Sequence, residues 1–65
     1  MNENYWTTQA MIDSGVPFLV HLAHAYRAGG ERSQQVIREQ WVNEWNVYRI
    51  HGLVLKAADD AKEQA

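Results

Sequence analysis

From Glu31 to Ala61 the chain runs for 31 residues without a proline and with a single glycine, Gly52. No other stretch constrains the fold so tightly. Proline and glycine are the residues that most cost a helix interior, and this segment is otherwise rich in good helix formers. The segment predicts one long helix over 31–61, with 62–65 fraying beyond it because Asp59, Asp60 and Glu63 crowd the negative end of the helix dipole.

The preceding residues predict a shorter helical arm. Residues 3–14 place Trp6, Ala10 and Asp13/Ser14 on one side, with Thr7 and Met11 beside them, and Asn2 or Asn4 in position to cap the start. Ser14-Gly15-Val16-Pro17 is a break: glycine takes the left-handed position that ends a helix, and proline is welcome in a first turn. Ser14 is then a candidate cap for a helix beginning at Pro17, although one kinked helix through residue 17 fits the same residues. Pro17 to Ala28 predicts a second helix, with Phe18, Leu22, Ala25 and Tyr26 on one face and Leu19 beside them. Gly29-Gly30 ends it and folds the arm back antiparallel to the long helix.

At about 100° per residue the long helix has two apolar stripes. Ile37, Trp41, Trp45, Tyr48, Gly52 and Leu55 form one. Val36, Val47, Ile50, Val54, Ala57 and Ala61 form another, roughly 120° away. Gln40, Glu44 and His51 lie between them on the narrow side. A surface helix needs only one apolar stripe. The arm covers one; a second copy of the chain is expected to cover the other. The expected fold is therefore all-α: a helical hairpin, residues 1–65 as one domain, paired into a homodimeric four-helix bundle. Phe18, Leu22, Ile37, Trp45, Val47, Tyr48, Ile50, Gly52, Val54 and Leu55 form its core and dimer contacts. Gly52 in the aromatic stripe suits a close helix crossing.

Size supports a partner. A core in a 65-residue chain rarely supplies more than about 3–5 kcal/mol, and small domains usually add a staple. With no cysteine, disulfides and thiolate metal sites are excluded. That absence and the lack of a basic leader point to a cytoplasmic setting. The most apolar run, Val16 to Tyr26, is too short to cross a bilayer, so no membrane partner is expected.

Chemistry is sparse. His21 and His24 share a helix face and are the candidate metal ligands, but His51 is expected far from them, near residues 8–10, so the favoured reading is two surface histidines. No serine has a base beside it, and Gly29-Gly30 lacks a phosphate-loop context. Neither a cofactor nor catalysis is expected. The third side of the long helix carries Arg38, Arg49 and Lys56 with Val42 and Leu53 among them; with Tyr5, Trp6 and Trp41 it is the candidate partner-binding surface. The formal charge of −2 and the scattered cations disfavour nucleic acid. The expected function is non-enzymatic: a dimeric adaptor or inhibitor of an unidentified protein. The expected architecture is similar, in arrangement alone, to small homodimeric helical hairpins such as the Rop-type RNA-binding bundle, which implies a nucleic-acid-binding dimer as the alternative. A histidine-based metal module is the third reading.

Overall fold

A computed structural model describes residues 3–64; the candidate cap Asn2 and the end of the expected tail at Ala65 lie outside the described residues. Those residues form four helices and no strand: α1 (Glu3–Asp13), α2 (Pro17–Ala28), α3 (Glu31–Gln40) and α4 (Val42–Gln64).

The turn between α1 and α2 follows from its residues. Gly15 has φ +72°, which a side chain would resist. Ser14 does not cap α2. Its hydroxyl donates to the Met11 carbonyl at 2.6 Å and accepts from the Val16 N–H at 3.2 Å, so it closes the end of α1 instead. Val16 is the capping residue of α2, with Pro17 in the first turn. At the other end of α2 the Gln34 side chain donates to the Tyr26 and Gly29 carbonyls at 3.0 and 3.2 Å, supplying acceptors at a helix end with their partner.

Two expectations for the long helix are corrected. It is broken at Trp41, whose backbone leaves helical geometry at φ −116°, ψ 49°. Helical hydrogen bonds persist on both sides, Trp41 N–H to Ile37 at 3.0 Å and Trp45 N–H to Trp41 at 2.8 Å. The cause is therefore tertiary. The bend lets α3 lie on α2 while α4 lies on α1, and the Trp41 ring packs on Phe18 with centroids 5.8 Å apart. The helix also runs past its expected end at Ala61: α4 continues through Gln64. The Lys56–Asp60 pair at 2.8 Å sits within its last turns.

The first helix is no peripheral arm. Met11, Thr7 and Thr8 are the largest fully buried side chains, and Ala10 is buried with them. The threonines tolerate burial because their hydroxyls bond back to the preceding turn, Thr7 to Glu3 at 3.1 Å and Thr8 to Asn4 at 3.0 Å. The rest of the core is Leu19, Leu22, Ala23, Tyr26, Ile37 and Trp45. Phe18 departs from expectation: α2 turns Leu19, Leu22, Ala23 and Tyr26 inward, which leaves Phe18 half out at the rim. Leu22, Ile37, Trp45 and Gly52 are buried as expected, and Tyr48 and Leu55 are half-buried.

Arg27 ties α2 to α1. Its Nε donates to Thr8 Oγ1 at 2.9 Å, Nη2 reaches the Tyr5 carbonyl at 3.2 Å and Gln9 Oε1 at 3.3 Å, and the guanidinium stacks on the Tyr5 ring at 4.9 Å. Arg27→Ala is expected to lower stability by about 1 kcal/mol, the usual net worth of such hydrogen bonds at a partly solvated site. Urea unfolding followed by circular dichroism measures it; an unchanged midpoint would show that these contacts are solvent-exchanged.

Candidate interaction surface

The surface is built on α4, and its geometry starts from Gly52. The backbones of α1 and α4 meet there. A β-carbon on Gly52 would lie 2.6 Å from the carbonyl carbon and oxygen of Trp6 and 2.8 Å from the Thr7 nitrogen. This is the close crossing expected of Gly52, made within one chain. With Gly52 pressed on α1 and Trp45 stacked on Tyr26 at 4.5 Å, the face of α4 that bears both is fully used. The inner stripe is thus occupied by the chain's own helices.

The other stripe is not. Val47, Ile50 and Val54 are 49%, 56% and 66% exposed, and Ala57 and Ala61 are exposed with them. Helical periodicity assigns these three large residues to the core or a dimer contact; they are not in the core of the single chain. They lie roughly 170° around α4 from Gly52, on the outward side. Val42 and Leu53 flank them and are also exposed. Single exposed apolar residues are ordinary; these form a row along one side of α4.

The basic residues expected on the third face fare differently. Arg38, carried on α3, donates to the Tyr26 hydroxyl at 2.7 Å with its guanidinium 5.9 Å from the ring centre. The bend at Trp41 removes it from the line of α4, and its guanidinium is engaged with Tyr26. Lys56 is paired with Asp60. That hydrogen bond, then the Asp60 charge, raise its pKa above the ordinary lysine value; burial acts in the opposite direction, and Glu63 and Asp59 add to the rise. Lys56, like any lysine, is charged through neutral pH, and with the pKa raised what the pair contributes is lost only as pH climbs through the lysine range; at this exposed site the contribution is small. Arg49 has no hydrogen-bonding or ionic side-chain partner among the described residues. Of the expected basic-apolar face, α4 carries Val42, Arg49 and Leu53, with Lys56 held by Asp60.

At the other candidate end, Tyr5 is exposed and meets Trp6 edge-on at 5.1 Å. Trp6 is half-buried, and its buried indole nitrogen has no hydrogen-bond partner among the described residues. Trp41 is half-buried against Phe18. His21 and His24 are exposed on α2, whereas His51 lines a depression with Ala10, Asp13, Ser14, Tyr48, Val54 and Leu55, close to the position expected for it. The three histidines do not converge. Among the described residues the one grouping of three possible metal ligands is Asp59, Asp60 and Glu63 on the last turns of α4.

No described helix is long and apolar enough to cross a membrane. Comparison with known protein families, curated proteins and solved structures finds no match.

Proposed function

We propose that the chain is a small non-enzymatic protein-interaction module that acts as a homodimer and serves as an adaptor or inhibitor of a partner protein. The observation that carries this reading is the outward stripe Val47, Ile50, Val54, Ala57 and Ala61 on α4. Burying each of the three large residues recovers apolar area at about 25 cal/mol per Å², and about half or more of each is exposed in the single chain. The flank with Val42, Arg49 and Leu53 is left for a further protein. Nucleic-acid binding draws less support, because Arg27, Arg38 and Lys56 are engaged within the chain and phosphate contacts need cations gathered on one face.

Sedimentation equilibrium tests the dimer. The chain is expected to pass from monomer to dimer as its concentration rises from micromolar to millimolar. The triple variant Val47→Gln, Ile50→Gln, Val54→Gln is expected to stay monomeric with unchanged helicity, because exposed substitutions usually shift stability by no more than about 0.5 kcal/mol. A wild-type chain that remains monomeric throughout would sink the reading.

A further inference from the structure

We infer that the outward stripe of α4 seats the same stripe of a second copy in antiparallel orientation, with Ile50 and Val54 of both chains around the two-fold axis. This rests on the homodimer reading and adds the partner element and its direction. The first support is spacing. Val47, Ile50, Val54, Ala57 and Ala61 recur at intervals of 3, 4, 3 and 4, and Asn43 continues the row by one more interval of 4. That is the seam by which one helix packs against another along its length. A flat or concave partner would not demand it. All six positions are exposed.

The second support is charge. Asp59, Asp60 and Glu63 hold carboxylate oxygens within 4.8 Å of one another near the C-terminal end of α4. That end is already the negative pole of the helix. The three carboxylates stand on the side of α4 turned away from the seam, and parallel pairing would set the two negative poles side by side. Antiparallel pairing sets each beside the positive, N-terminal end of the other helix, where Glu44 is the one acidic residue. The seam itself contains no charge.

The third support is the order of sizes along the seam. With residue 52 at the centre, Ile50 faces Val54 of the second copy, Val47 faces Ala57, and Asn43 faces Ala61. The branched side chains then gather in the middle and the polar asparagines fall at the two rims, as a stable helix interface prefers. A two-fold relation of this kind also places the Leu53 and Arg49 flanks of both chains on one side of the pair. The partner-binding flank is thus completed by the second copy.

Cross-linking decides the orientation, and the absence of cysteine makes the background clean. Ala61→Cys and Asn43→Cys are made singly in the full chain and oxidised at a concentration where sedimentation shows dimer. An equal mixture of the two is expected to give a covalent dimer. Ala61→Cys alone is expected to stay uncrosslinked, because its two sulfurs would sit about 27 Å apart along the pair, beyond the reach of a disulfide. Covalent dimer from Ala61→Cys alone, with none from the mixture beyond it, would overturn the antiparallel arrangement and leave the homodimer standing. So would a dimeric mixture that yields no covalent product. A chain that never dimerises would overturn both.

Discussion

Gly52→Ala is expected to lower the midpoint of thermal unfolding by roughly 8–16 °C. An added methyl must displace the backbone of Trp6 and Thr7, which no side-chain rotation relieves. Overpacking of this kind costs about 1–3 kcal/mol and sometimes more. The gain in helix propensity from glycine to alanine offsets about 1 kcal/mol. A steric cost at the upper end leaves a net loss of about 2 kcal/mol, and each kcal/mol moves the midpoint of a domain this size by about 4–8 °C. The sign decides the matter. A glycine merely tolerated in a helix would give a more stable protein when replaced by alanine, so a raised midpoint in circular dichroism melts would refute the close crossing.

Trp45→Ala is expected to abolish the cooperative fold near room temperature. The ring is 5% exposed and stacks on Tyr26 with centroids 4.5 Å apart. It belongs to the same buried cluster as Leu22 and Ile37. Removing a buried tryptophan costs about 3–5 kcal/mol, which equals what a core of this size usually supplies. Far-UV circular dichroism is expected to fall sharply and urea unfolding to lose its sigmoidal form. Trp45→Phe, which keeps an aromatic face on Tyr26, is expected to stay folded at reduced stability. A Trp45→Ala chain with native helicity and a cooperative transition would mean that the core does not depend on this stack.

Much of the local structure is legible in the residues. Gly15 and Pro17 punctuate the chain where α1 ends and α2 begins, and Gly29-Gly30 separates α2 from α3. The two stripes of α4 follow from helical periodicity, and the requirement that Gly52 sit where a backbone approaches is met by Trp6. The outward stripe, which carries the functional reading, is visible as a second apolar row with no intrachain partner to cover it.

Other features are not legible, for definite reasons. The buried face of α1 is made of Thr7, Thr8, Ala10 and Met11, small and partly polar residues that do not stand out as an apolar stripe. Their burial depends on hydroxyl bonds to the previous turn and on the Arg27 bond to Thr8, and the latter exists only once the helices are assembled. Arg38 reads as a surface cation because nothing near it in sequence foretells the Tyr26 hydroxyl, which comes from another helix.

By itself the sequence determined that the chain is helical, that it is punctuated near Gly15-Pro17 and at Gly29-Gly30, and that the helix begun at Glu31 carries two apolar rows. Local steric and periodic rules are enough for that. Only the tertiary structure decided that the helix begun at Glu31 bends at Trp41 and that α1 is the centre of the fold. A straight helix over 31–64 has no breaker to forbid it. The bend arises because α3 must lie on α2 while α4 closes onto α1 through Gly52, and packing of that kind is settled between helices rather than within one.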